Sequence, residues 1–161
     1  MTELWGELNR STGSGTVTLR HCFPADQARL WQAITDPAEL GRWMAAVTIT
    51  GDDYRIDFDP SDPAQQTSGP IEHCDPPTGF TLAWLNAGED EASRVTLTLA
   101  EGADGTELTL VHSLLPTSQD VGHAAGWEVY LRCLEAHLAG AELPDWGTSW
   151  EVFREAHAAR Q

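Results

Sequence analysis

Short stretches in which apolar residues take every second position recur along this chain. The first runs from Thr16 to Phe23, where Val17, Leu19, His21 and Phe23 alternate with more polar neighbours, the period of a half-buried strand. Ahead of it, Ser11-Thr12-Gly13-Ser14-Gly15 is turn chemistry, so residues near Trp5 to Asn9 are expected to form a short partner strand. After Pro24 the period changes. Ala28, Leu30, Trp31 and Ile34 fit one face of a helix, with Asp26 in its first turn where the helix dipole favours an acid. Thr35-Asp36-Pro37 stops that helix, and Pro37 suits the first turn of a second short one through Arg42.

Strand patterns then return at Val47–Ile49, Tyr54–Phe58, Gly69–Cys74, Phe80–Trp84, Val95–Leu99 and Leu108–His112. Asp59 to Ser68 reads as an exposed loop, and Ala103-Asp104-Gly105 is a strong turn signal, so the series predicts an antiparallel meander. A long helix is expected over Asp120–Ala139, with Trp127, Leu131, Leu134 and Leu138 on one stripe, Tyr130 beside them and Gly140 at its end. A final helix is expected over Ser149–Ala158, with capping-box spacing at Thr148 and Glu151 and a face made of Trp150, Phe153 and His157. The order predicts an α+β fold in which a curved antiparallel sheet wraps a long carboxy-terminal helix. Residues 1–140 are expected to form that domain, and residues 141–161 a helical extension packed on it.

Local patterns carry a resemblance. Phe23-Pro24-Ala25, the run Leu30 to Pro37, and Leu40-Gly41-Arg42-Trp43 resemble the opening of the Hsp90-ATPase-activator-like family of the START/Bet v 1-like superfamily. Gly69, Ile71, Glu72, Pro76-Pro77, Leu82 and Trp84 resemble its central strands. Gly105 to His112 resembles its last strand, and Gly126-Trp127 with Leu131, Leu134 and Leu138 its final helix. The resemblance spans Thr16 to Gly140 and implies the helix-grip fold with a cavity between sheet and helix. The residues around Gly51-Asp52-Asp53-Tyr54 depart from it, because a Gly-Gly pair is common there.

Alternation assigns faces. Ile56 and Phe58, Ile71 and His73, Leu82 and Trp84, Val95, Leu97 and Leu99, and Leu108, Leu110 and His112 are expected to point at the helix. If the implied cavity exists, its candidate lining is Trp43, Phe58, His73, Trp84, Leu97, His112, Trp127, Tyr130, Leu131 and Leu134. A filled core made of the same residues is the competing reading. His73 and His112 are the inward polar groups, suited either to orienting a ligand or to packing as satisfied core histidines.

Composition narrows the functions. Of 161 residues, 25 are acidic and 9 basic, giving a net charge of -16, and every basic residue is Arg. Such a field repels phosphate backbones and anionic membranes, which argues against nucleic acid and membrane surfaces as partners. The amino terminus carries no basic region followed by an apolar core, and the three cysteines form no Cys-x-x-Cys pair, so a cytoplasmic protein with reduced thiols is expected. Cys22 and Cys74 are expected to pack as small hydrophobes. No nucleophile elbow, phosphate loop or dinucleotide fingerprint is present, and no cofactor is expected. Glu72, His73 and Cys74 cannot converge on one ion from adjacent strand positions, so no metal site is assigned there.

Three functions stay open on these grounds: a binding module for a small hydrophobic or aromatic molecule, a cavity-based cyclase, aromatase or lyase, and a protein-interaction domain of the co-chaperone kind. The aromatic stripe Trp146, Trp150 and Phe153 either covers its own domain or docks on a protein partner or a second copy.

Overall fold

The computed structural model describes residues 2–161. Its eight strands are β1 (Gly6–Ser11), β2 (Ser14–Phe23), β3 (Ala46–Thr50), β4 (Asp53–Asp57), β5 (Gln66–Asp75), β6 (Gly79–Asn86), β7 (Ser93–Gly102) and β8 (Gly105–Pro116). They form one antiparallel sheet in the order β1-β2-β8-β7-β6-β5-β4-β3, so β1 and β3 are its edges. Helices α1 (Gln27–Thr35) and α2 (Pro37–Trp43) connect β2 to β3, and α3 (Asp120–Ala139) and α4 (Trp146–Ala158) follow β8. This is the expected α+β helix-grip arrangement.

Local chemistry sets the boundaries. Asp26 caps α1 by accepting from Arg29 N, and Asp36 caps α2 by accepting from Ala38 N ahead of Pro37. Gly140 ends α3 in the left-handed region at φ 66°, donating to Ala136 O and His137 O. The last helix starts three residues earlier than the sequence predicts, because Asp145 rather than Thr148 is its cap, accepting from Thr148 N. The loop after Phe58 is shorter than expected. A single 3-10 turn over Pro63–Gln65 lies in it, and pairing resumes at Gln66 opposite Asp57.

The core lies on the inner face of the sheet. Leu19 sits opposite Leu110, which sits opposite Leu97, and Val17, His112 and Val95 form the next row. All six are buried. Helix α3 packs on β1 and β2 and is fastened there by charge. Arg10 of β1 holds the Asp120 carboxylate with two hydrogen bonds, 2.8 and 2.9 Å, at the first turn of α3. Gly15 makes room for it, since a Cβ there would collide with the Asp120 carboxylate. Further along α3, the buried Glu128 carboxylate accepts from Trp5 N at 2.7 Å and Arg132 Nη1 at 3.1 Å, and meets His157 Nε2 of α4 at 3.2 Å. Arg132 lies between the rings of Trp5 and Phe153, at 3.9 and 4.3 Å. Phe153 therefore packs inward on its own chain.

Two expectations about faces fail. His73 is exposed. The β5–β6 register shifts between Ile71 and His73, so a bulge inserts one residue and reverses the alternation beyond it. Cys22 and Cys74 are also exposed, and Cys133 of α3 is the buried thiol.

Candidate functional site

Where α3 leaves the sheet, a cleft of about 900 Å³ opens between α2, the end of β4, β6, α3 and α4. Aromatic rings build its walls as a connected chain. Trp84 from β6 lies 5.4 Å from Trp127 of α3, and Phe58 bridges Trp84 at 6.2 Å and Tyr130 at 6.0 Å. Tyr130 meets Trp146 at 5.6 Å, and Trp146 stacks on Trp150 at 6.2 Å with a 12° interplanar angle. Trp43 and Met44, at the end of α2, close another side. Trp146 is 39% exposed, so the outermost ring faces solvent.

Four of the five cleft indoles are tethered through their own N–H groups. Trp43 Nε1 donates to Ala33 O at 2.9 Å, Trp84 Nε1 to Asn86 Oδ1 at 3.1 Å, and Trp150 Nε1 to Gly122 O at 3.1 Å. Trp127 Nε1 donates to His112 Nδ1 at 3.0 Å. An acceptor at Nδ1 places the proton of neutral His112 on Nε2, which lies 2.7 Å from Ser93 Oγ. Ser93 Oγ in turn donates to Trp84 O at 3.3 Å. Burial holds His112 well below the usual histidine range, and the neighbouring His123 adds to the effect. His112 thus stays neutral and spends both nitrogens on Trp127 and Ser93.

The cleft keeps other polar groups free. His123 Nδ1 lies 3.0 Å from Gln119 O, a carbonyl that only accepts, so Nδ1 carries a proton and Nε2 has no hydrogen-bond partner among the described residues. Tyr130 lines the same wall, and its hydroxyl has no hydrogen-bond partner among the described residues. Burial raises its pKa above the usual tyrosine value, so it stays a neutral donor. Arg42, Asp59, Asp62, Gln65, Asn86 and Gln119 supply the remaining polar lining.

A second, apolar chamber of about 160 Å³ lies behind the cleft, between α1–α2 and the inner face of β3–β8. Trp43, Met44, Trp84 and Trp127 line both spaces. The structure therefore distributes the predicted lining unevenly. Trp43, Trp84 and Trp127 divide the cleft from the chamber. Phe58 and Tyr130 line the cleft, and Leu97 and Leu131 the chamber. Leu134 and His112 are buried core residues outside both linings, and His73 lies on the outer surface. His123, Trp146 and Trp150 are cleft residues that the predicted lining omits. His123 had a readable signal, since it falls four residues before Trp127 and seven before Tyr130 on one helix face.

Comparison with known proteins gives the same family as the sequence patterns. Residues 24–139 match the family described as "Activator of Hsp90 ATPase homolog 1-like protein". The crystal structure of CalU16 from Micromonospora echinospora is similar at 27% identity and a TM-score of 0.77, covering 96% of each chain. DynU16, a protein of the dynemicin biosynthetic locus, is similar at 26% identity and a TM-score of 0.71 over 81% of this chain, which spans 50% of DynU16. A Bordetella parapertussis protein shares the fold at 21% identity and a TM-score of 0.74. Among curated proteins, no sequence matches. The chain belongs to the family of proteins like the activator of Hsp90 ATPase homolog 1, within the helix-grip superfamily.

Proposed function

We propose that this protein is a binding module that holds one uncharged, largely apolar, ring-containing small molecule in the aromatic cleft. The observation that carries the reading is the continuous run Trp84, Trp127, Phe58, Tyr130, Trp146 and Trp150 around about 900 Å³ of open space. A volume of this size is in the range of small-molecule sites, and rings pinned by their own N–H groups are preorganised for stacking. The net charge of -16 disfavours anionic ligands and nucleic acids. No helix among the described residues is long and apolar enough to cross a membrane. Three free cysteines fit a reducing, cytoplasmic setting. Residues 141–161 are best read as an extension of the same domain, which the seating of Trp146 and Trp150 on the cleft and of His157 on Glu128 supports. Similarity to a protein of a biosynthetic locus favours a small organic molecule over a protein partner. Native mass spectrometry and tryptophan fluorescence titration test the reading. Quenching or a blue shift that disappears in Trp127→Leu supports it, and a fluorescence insensitive to every neutral aromatic tried argues decisively against it.

A second reading, acid–base chemistry on the bound molecule, is favoured by one observation: His123 and Tyr130 line the same cleft, two helical turns or about 10 Å apart along α3, with His123 Nε2 and the Tyr130 hydroxyl unpartnered among the described residues. Turnover of a bound ligand that survives His123→Ala unchanged would remove it.

A further inference from the structure

The cleft and the chamber behind it differ in chemistry, and together they specify a shape. In the cleft, polar groups are left free: His123 Nε2, the Tyr130 hydroxyl and the side chains of Gln65 and Gln119 make no hydrogen bond among the described residues. In the chamber the reverse holds. Its lining is Ile, Leu, Val, Met and aromatic carbon with the Cys74 thiol at its far end, and its oxygen and nitrogen atoms from side chains are already committed. Tyr54 Oη donates to Ala83 O at 2.6 Å, and Thr35 Oγ1 to Trp31 O at 2.6 Å. An occupant of the chamber finds no free side-chain oxygen or nitrogen, and only the weak donor of the Cys74 thiol at the far end, so hydrocarbon enters at the lowest desolvation cost. An occupant of the cleft finds both stacking surfaces and unused donors and acceptors.

The partition between the two spaces consists of Trp43, Trp84, Trp127 and Met44. Each of the three indoles is fixed by a hydrogen bond from its own N–H. Met44 has no such tether. It is a half-buried, unbranched side chain at the C-terminal cap of α2, with the torsional freedom to swing aside. The chamber's far end is lined by Cys74 and by Ile49, which is 45% exposed, so that end meets solvent.

Resting on the binding reading above, we infer that the ligand is an amphiphile of two parts: a polar-substituted ring system that stacks in the cleft, and a short unbranched alkyl or acyl arm that passes Met44 into the chamber. At about 30 Å³ per water-sized group, 160 Å³ admits an arm of about five methylenes. Carbons beyond that emerge near Ile49 and Cys74 and add nothing.

The test uses neutral fluorescent probes, the 6-acyl-2-(dimethylamino)naphthalenes with acyl chains of two to twelve carbons, titrated into the full-length protein. Expected is an affinity that rises about fourfold per methylene to about six carbons and then levels. Val47→Phe on edge strand β3 and Leu82→Phe on β6, both half-buried and both lining the chamber, are expected to flatten the rise while the two-carbon probe still binds as before. Circular dichroism checks that each is folded, and the break in slope in the unmodified protein stands without them. An affinity independent of chain length, with the two-carbon probe bound, overturns the two-part ligand and leaves the cleft reading standing. A rise that continues unbroken to twelve carbons, or that persists in a folded filling variant, also overturns it by showing nonspecific partitioning. Failure of every member to bind overturns both.

Discussion

The two halves of the sheet are built from the same alternating pattern and end in different states. Over β1 and β2 the inner face is filled. Val17, Leu19 and Phe23 are fully buried, α3 lies directly on β1 and β2, and two charged clusters fasten it there. Over β3 to β6 the inner face is only partly covered. Val47, Ile71 and Leu82 remain half-buried, and α1 and α2 span the opening in place of the long helix. The difference arises in the helix rather than in the strands. Asp120 and Glu128 pin α3 to one side of the sheet, and a straight rod that touches one side of a curved sheet must stand away from the other. Hollowness here follows from where buried charge has been placed.

The largest effect is therefore expected from cutting the anchor. Glu128→Ala leaves the half-buried Arg132, the buried His157 and the Trp5 N–H without their shared acceptor. Loss of one partner from a buried network costs about 3–5 kcal/mol, read as a fall in the urea midpoint. A change under about 1 kcal/mol would show that the network behaves as a surface ion pair and that packing alone seats α3. The same substitution should weaken cleft binding, because α4 is held through His157.

A matched pair of leucines tests the filled and hollow halves directly. Leu19→Ala, in the filled half, is expected to cost about 2–5 kcal/mol, since Gly6 and the core rows leave no space to collapse into. Leu82→Ala, beside the chamber, removes a half-buried side chain that already borders a void, and about 1 kcal/mol is expected. Equal losses in denaturant unfolding would mean that the chamber is closed in solution.

The strands and the long helix that frame this contrast were legible in the chain, but which half is hollow was not. Alternation placed Leu108, Leu110 and His112 on one face correctly, and the 20-residue helix was bounded by Asp120 and Gly140. The misses have a common physical form, because each depends on something periodicity does not encode. A bulge after Ile71 turned His73 outward, and nothing in the run from Gly69 to Cys74 announces the extra residue. The role of His112 depended on the distant partners Ser93 and Trp127. The existence of a cleft depended on how far α3 stands from the sheet, which ion pairs between distant segments decide.

Acid titration should separate the same regions by pH. His112 is held below its ordinary value of 6.5, so the unfolded chain takes up a proton that the folded chain refuses. Its contribution is complete above about pH 6.5 and falls as pH drops, by up to about 1.4 kcal/mol per pH unit. Burial pushes Glu128 and Glu39 upward, but hydrogen bonds outweigh it: His157, Trp5 N and Arg132 for Glu128, and His137 and Arg29 for Glu39. Both therefore sit below 4.5, and their contribution is present above that pH and lost beneath it. Two limbs are expected in a plot of stability against pH. His112→Leu should abolish the upper one while costing about 1–3 kcal/mol at neutral pH, through the stranded Trp127 N–H and the Ser93 oxygen that loses its donor. An upper limb that survives the substitution would place the titrating group elsewhere.

The smallest effect on stability should carry the largest information about the cleft. Trp146 is the outermost ring, 39% exposed, and makes no hydrogen bond among the described residues. Trp146→Ala is expected to change stability by less than about 1 kcal/mol, as exposed positions do, yet to weaken binding of a neutral aromatic by about tenfold, through loss of one stacking face. Trp150 cannot serve the same purpose, because its indole also ties α4 to Gly122 and its loss mixes folding with binding. A Trp146→Ala protein with unchanged stability and unchanged affinity would confine the ligand to the inner rings around Trp84 and Trp127. One with lowered stability would make the stacked pair Trp146–Trp150 part of the structural half of the molecule, and the boundary between filled and hollow would have to be drawn further out.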